Sequence, residues 1–169
     1  MLEFASTMSK ISIAELKDIY CQQIAAQGRK YYGHQKTNLQ YLNAEQDFYE
    51  DLKQFLRIDG ARYALWRTQG RCVAAMRLEP YLDGMLITDL ETAPNERCKG
   101  YATQLLEAVR QEYSDTDLYA HIACRNLQAV RVHQRCGFVK HLNYAIFVDG
   151  SAFADHCTYI CKKNQRPYA

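Results

Sequence analysis

The stretch MLITDLETAPNERCKGYATQLLEAVRQEY, residues Met85 to Tyr113, decides how the rest of the chain is read. Met85 to Thr92 favours an extended chain, whereas Ala102, Leu105, Leu106, Val109 and Tyr113 recur at helical spacing. The period changes across Ala93-Pro94-Asn95-Glu96-Arg97-Cys98-Lys99, and the helix opens at Gly100-Tyr101-Ala102. A strand, a tight loop and a helix, with glycine at the turn and two cations beside it, form a place where proteins hold phosphate. The helix N-terminus presents unpaired N–H groups and a partial positive charge, and loop amides complete an anion-binding nest.

Outward from this unit, the totals set bounds. The 169 residues suffice for one domain with a real core and are too few for two ordinary ones. Hydrophobic residues at 48%, charged at 24%, three Pro and eight Gly describe a chain folded throughout. A net charge of +2 argues against a nucleic-acid surface or a polybasic membrane patch. Seven cysteines at scattered spacings, with no apolar leader, point to a reduced, cytoplasmic protein. No apolar run approaches the ~20 residues of a membrane span. Zinc ligation by His133, Cys136, His156, Cys157 and Cys161 is disfavoured, because Cys157 and Cys161 on one strand lie roughly 13 Å apart. No metal is expected.

Upstream, Leu2 to Met8 reads as a short strand. Ser12-Ile13-Ala14-Glu15 is a capping box, and Leu16, Ile19, Tyr20 and Ile24 give a helix ending at Gly28. Gly28 to Asn43 reads as a loop, and a second helix from Asn43 buries Phe48, Leu52, Phe55 and Leu56 before Gly60. Its other face carries Glu45, Asp47, Glu50 and Asp51. Arg62 to Thr68 and Arg71 to Glu79 form a hairpin about Gln69-Gly70, and Tyr81 to Gly84 turns into the opening strand. Downstream come a buried strand at Leu118 to Cys124, a helix capped by Asn126 and ended by Gly137, and two strands at Phe138 to Ile146 and His156 to Lys162. The expected architecture is a mixed α/β (α+β) fold, a central sheet of about seven strands flanked by about four helices. The strand–helix–strand step makes residues 85 to 92 and 118 to 124 parallel neighbours.

Arg97-Cys98-Lys99-Gly100-Tyr101-Ala102 resembles the Arg/Gln-x-x-Gly-x-Gly/Ala loop of the GNAT superfamily, the acyl-CoA-dependent N-acyltransferases. Leu90-Glu91-Thr92 before it is similar to the strand end that precedes that loop. Asn126-Leu127-Gln128-Ala129, leading to Gly137-Phe138, resembles the family's second signature. The resemblance implies a GNAT-like fold in which the two parallel strands splay at their C-terminal ends and pantetheine lies in the gap. It implies acetyl-CoA as co-substrate, held by Leu90, Glu91, Thr92, the loop Arg97, Cys98, Lys99, Gly100, Tyr101, Ala102 and Thr103, and by Asn126 and His133. Cys98 stands where the family often has Gly.

The implied reaction is direct transfer of the acetyl group to a primary amine of a small molecule, peptide or protein, with no cysteine nucleophile. Two proton transfers are needed. The base candidates are His121, at the position of a Glu base in some members, and Glu91, with Asp89 beside it. His133, four residues before Gly137, stands where the family has a Tyr near the CoA sulfur and is the candidate donor to the thiolate. The acids of the second helix flank the implied acceptor cleft, either attracting a cationic amine or simply facing water. A homodimer through the last strands, with Phe147 to His156 reaching across, is the analogy for assembly. The alternative reading is a CoA-binding regulatory domain that has kept the fold and lost turnover.

Overall fold

The computed structural model describes residues 1–32 and 38–164, with side chains of 32–40 outside the description. Strand β1 (Leu2–Ala5) is followed by two helices packed on each other, α1 (Ile13–Tyr32) and α2 (Asn38–Phe55). Then come β2 (Arg62–Thr68), β3 (Arg71–Tyr81), β4 (Gly84–Thr92), α3 (Tyr101–Glu112), β5 (Leu118–Ala123) and α4 (Leu127–Arg135). The chain closes with β6 (Val139–Leu142), a small ribbon of β7 (Ala145–Ile146) and β8 (Ala152–Phe153), and β9 (His156–Cys161). The seven-stranded mixed sheet has the order β1-β2-β3-β4-β5-β9-β6, with β4 and β5 its parallel pair.

The period-2 alternation of β2 and β3 sorts the core into two layers. Tyr63, Leu65, Cys72 and Ala75 face Leu16, Ile19, Tyr20, Ile24, Leu52 and Phe55 of α1 and α2. Ala64, Ala74, Met76 and Leu78 face Leu105, Leu106 and Val109 of α3, together with Cys136 and Phe138. No described helix is long and apolar enough to cross a membrane.

Three boundaries differ from the sequence reading. Helix α1 passes through Gly28 to Tyr32, because one interior glycine costs only about 0.5–1 kcal/mol and the helix is held by its buried face. Helix α2 begins at Asn38, so the expected loop is helical at both of its ends, and residues 33–37 lie outside the described residues. The strand expected over Phe138 to Ile146 divides at Asn143 and Tyr144, since its partner β9 begins only at His156. Its second half pairs with β8, and Ile146 O is held there by the Tyr81 hydroxyl at 2.7 Å and His121 Nε2 at 2.9 Å.

The parallel pair is held at one end and open at the other. Met85 N donates to Asp117 O at 3.0 Å, and the backbones approach so closely that a Cβ on Gly84 would stand 2.1 Å from that carbonyl. The buried Asp117 carboxylate is in turn held by Lys162 Nζ at 2.7 Å and the Lys163 amide at 2.8 Å. Pairing then runs through Met85↔Leu118, Leu86↔Tyr119 and Ile87↔Ala120 and stops.

Candidate active site

Beyond Ile87 the two strands part because β4 carries a bulge and β5 does not. Thr88 pairs with Arg77 and Glu91 with Ala75, so Asp89 and Leu90 together oppose Met76. Asp89 takes the left-handed conformation, φ +52°, in this bulge. A bulge bends its strand, while β5 stays straight along β9 as far as Ala123↔His156. The gap is a cleft of about 250 Å³, walled by Thr88 to Glu91 on one side and by His121 to Ala123, Asn126 and His133 on the other.

A buried polar network holds the bulge. The Tyr20 hydroxyl donates to Asp89 O at 2.7 Å, and burial pushes its pKa well above the ordinary phenol value. Arg77 lies between carboxylates, with Nη2 on Asp51 at 2.5 Å and Nε 3.3 Å from Asp89, and Nε also donates to the Tyr63 hydroxyl at 2.7 Å. The Arg77 charge lowers the Asp89 pKa, but burial outweighs it and leaves that carboxyl above its usual range. The acids expected to form an open surface on α2 are largely neutralised, Glu45 by Lys17 at 2.6 Å, Glu50 by Lys53 at 3.0 Å and Asp51 by Arg77. A general attraction for cationic acceptors is therefore not what this face offers.

Three of the five histidines line the cleft, each held differently. His133, 3% exposed, has Nδ1 at 2.8 Å from Ala129 O, one helical turn back, and its ring edge-on to Phe138 at 5.2 Å. A carbonyl only accepts, so Nδ1 carries the proton and Nε2 keeps its lone pair, with no protein partner among the described residues. Burial depresses the pKa below 6.5, so the imidazole is neutral near pH 7. In its resting form His133 is thus a proton acceptor at Nε2, whereas the sequence reading cast it as a donor.

His121 is anchored through Nε2 and has an oxygen beside Nδ1. Nε2 donates to Ile146 O at 2.9 Å, and Nδ1 lies 3.2 Å from Thr158 Oγ1, which also reaches Tyr144 O at 2.8 Å. Tyr81 and Phe147 close on its ring at 5.3 and 4.9 Å. Burial lowers its pKa, and because the Thr158 hydroxyl proton goes to Tyr144 O, Nδ1 keeps its lone pair beside that oxygen. The third ring, His156, has Nδ1 on Asp155 at 2.8 Å and stands opposite Ala123 in the ladder. Sequence reasoning weighed it only as a metal ligand, although the adjacent Asp155-His156 pair at a strand start was the available signal.

The loop after β4 turns through Pro94–Glu96 and delivers α3 at Gly100, φ +81°. That left-handed conformation is one that L side chains rarely adopt, so glycine is required. The amides of Cys98, Lys99 and Gly100 have no backbone partner among the described residues, and those of Tyr101, Ala102 and Thr103 begin the helix. Six consecutive amides around two left-handed residues, Cys98 at φ +62° and Gly100, make a nest that can receive an anion. The side-chain cations are turned elsewhere. Arg97 reaches Thr92 O at 3.3 Å, Gln22 Oε1 at 2.8 Å and Glu91 at 3.2 Å, bracing the loop to β4 and α1, and Lys99 pairs with Glu96 at 2.8 Å. Arg97, expected at the phosphate, pairs with Glu91 at 3.2 Å, both side chains partly exposed. Asn126 caps α4 as expected, its Oδ1 accepting from the Ala129 amide at 3.1 Å, and so sets the turn from which His133 projects.

Comparison with known proteins gives these observations a context. The sequence model of the acetyltransferase (GNAT) family matches residues 29–138. No curated protein matches the chain by sequence. Among solved structures, a ribosomal-protein-alanine N-acetyltransferase from Brucella melitensis is 16% identical, with 95% of this chain and 98% of that one covered and a TM-score of 0.61. A variant of the spermidine N-acetyltransferase from Vibrio cholerae is 15% identical over 95% of this chain and 93% of its own, TM-score 0.56. A GNAT family acetyltransferase from Elizabethkingia anophelis with acetyl-CoA bound is 16% identical over 66% and 80%, TM-score 0.52. At these identities the structures speak for the fold.

Proposed function

We propose, from the premise that this chain belongs to the GNAT acetyltransferase family and is an acyltransferase, that it transfers an acetyl group from acetyl-CoA directly to a primary amine of a small molecule, peptide or protein. The observation that carries this reading is the split of β4 from β5 after three residue pairs, opening beside the six-amide nest of Cys98 to Thr103. The nest takes the pyrophosphate, with Lys99 free to swing from its exposed contact with Glu96. The edge of β4 from Thr88 to Thr92, which lacks a strand partner towards β5, offers N–H and C=O groups to the pantetheine amides. An N–H there stabilises the oxyanion that develops on the acetyl carbonyl.

His133 is the proton carrier in this reading. Nε2 takes the proton from the attacking amine, and the resulting imidazolium, with Nδ1 still donating to Ala129 O, returns it to the departing sulfur. The N–C bond forms, the C–S bond breaks, and one proton passes from nitrogen to sulfur. Amine and sulfur are bonded to the same carbon at that stage, so a single imidazole serves both transfers. His121 holds the β7–β8 ribbon over the acceptor side, and Glu91 holds Arg97.

The test is acetyl-CoA-dependent release of free thiol against a panel of amines, run beside thermal unfolding with and without acetyl-CoA. Thiol release with at least one amine and a raised melting temperature are expected. Thermal protection without turnover across the panel would transfer support to a CoA-binding regulatory domain, and absence of protection would overturn both readings.

A further inference from the structure

We propose that Cys124 and Cys157 form a reversible dithiol–disulfide site next to the cleft residues Ala123 and His156, formed by exchange with a low-molecular-weight disulfide. The sulfurs stand 2.8 Å apart in the reduced protein. Non-bonded carbons meet at about 3.5–4.0 Å and sulfur is larger, whereas a disulfide bond is about 2.05 Å long. The pair is thus closer than ordinary contact, and closure needs the sulfurs to approach by about 0.8 Å.

The ladder explains the approach. Cys157 stands opposite Ile122 and Cys124 continues β5 two residues on, its amide donating to Asp155 O at 2.8 Å, so the two side chains share a face and meet on the diagonal. Their exposures divide the labour. Cys124 is exposed and open to a small disulfide, and Cys157, 5% exposed, lies behind it as the resolving thiol. Cys98 and Cys21 are also at least partly exposed, but neither has a second sulfur against it among the described residues.

The chemistry balances. The Cys124 thiolate attacks one sulfur of RSSR, forming Cys124–S–SR and releasing RS⁻. Cys157 then loses its proton to solvent, attacks the Cys124 sulfur and expels the second RS⁻, which is protonated. Two protein thiols are oxidised by two electrons and RSSR is reduced to two RSH. The cross-link fastens β5 to β9 beside Ala123 and His156, which line the cleft, and two residues before Asn126.

Incubation of the full chain with glutathione disulfide, followed by intact mass measurement and peptide mapping, tests this without reference to turnover. The wild-type chain is expected to lose two hydrogens and to yield a single linked peptide pair, Cys124 with Cys157, while any adduct on Cys98 persists as a mixed disulfide. Cys157→Ser is expected to retain one glutathione on Cys124, and Cys124→Ser to form neither product. A persistent glutathione adduct on Cys124 of the wild-type chain, or a linkage between any other two cysteines, would overturn the proposal. The wild-type measurement decides even where a variant fails to fold.

Discussion

Replacement of His133 by Phe separates the proposed proton-carrying role from the structural one. The ring sits 3% exposed against Phe138 at 5.2 Å, and a phenyl ring fills the same space with the same edge-on contact. The polar loss is one hydrogen bond, Nδ1 to Ala129 O at 2.8 Å. That carbonyl lies inside α4 and keeps its i→i+4 bond from the residue-133 amide, so no buried acceptor is orphaned and the cost is about 1 kcal/mol, or a fall of roughly 2–4 °C in melting temperature. In the proposed mechanism catalysis loses both proton transfers, for which general acid–base participation contributes about 10²–10⁴-fold. We expect kcat to fall about 10²–10³-fold, equivalent to ~3–4 kcal/mol of barrier, with acetyl-CoA protection against unfolding retained. Initial rates of thiol release at saturating acetyl-CoA measure the first quantity and thermal shift the second. The pH profile supplies a further check. Because burial holds the wild-type imidazole below 6.5, kcat should be level above about pH 6.5 and decline in acid, and the variant should lack that limb. A variant whose kcat lies within threefold of wild type at pH 7.5 would refute the reasoning.

Three other outcomes follow from the geometry. Gly100→Ala places a Cβ at φ +81°, costing about 1–2 kcal/mol locally, and should weaken acetyl-CoA binding several-fold in titrations while leaving the acceptor KM unchanged; an unchanged Kd would remove the nest from donor binding. Gly84→Ala drives a Cβ to 2.1 Å from a backbone oxygen that cannot yield without opening the β4–β5 clamp, so calorimetry should show a loss of about 3 kcal/mol or more, and a loss under 1 kcal/mol would contradict the close approach. Stability should fall as pH drops from about 6.5 towards 5. Burial lowers the folded-state pKa of His121 and His133, so in that window the unfolded chain binds more protons, and His133→Phe, with one such group fewer, should lose less melting temperature between pH 7 and 5.5 than wild type.

What could be read from residues alone was what period and local chemistry determine. Gln69-Gly70 marked a hairpin because both residues adopt φ > 0, and Asn126 marked α4 because a short carboxamide is a helix cap. Gly28 misled because glycine ends a helix only where the chain also leaves its apolar face. The Asp89 bulge left no trace, since nothing in Ile-Thr-Asp-Leu-Glu distinguishes a bulged strand from a regular one; Tyr20 and Arg77, distant in sequence, hold it. The same distance explains the histidines. His133 takes its tautomer from Ala129, four residues back on its own helix, and was readable once the helix was assigned. His121 takes its partners from Ile146 and Thr158 on later strands, which no local pattern indicates.

The three residue pairs joining β4 to β5 are a seam only about 10 Å long at roughly 3.3 Å per residue, and the sheet is two ribbons stitched along it. On one side lie β1 to β4 with α1 and α2. On the other lie β5, β9 and β6 with His121 and His156. The seam is therefore the natural breakpoint for recombination. A chimera crossing between Gly100 and Asp117 would exchange one ribbon for another while inheriting the loop proposed to hold the donor, provided the newcomer offers a backbone carbonyl that can sit against Gly84.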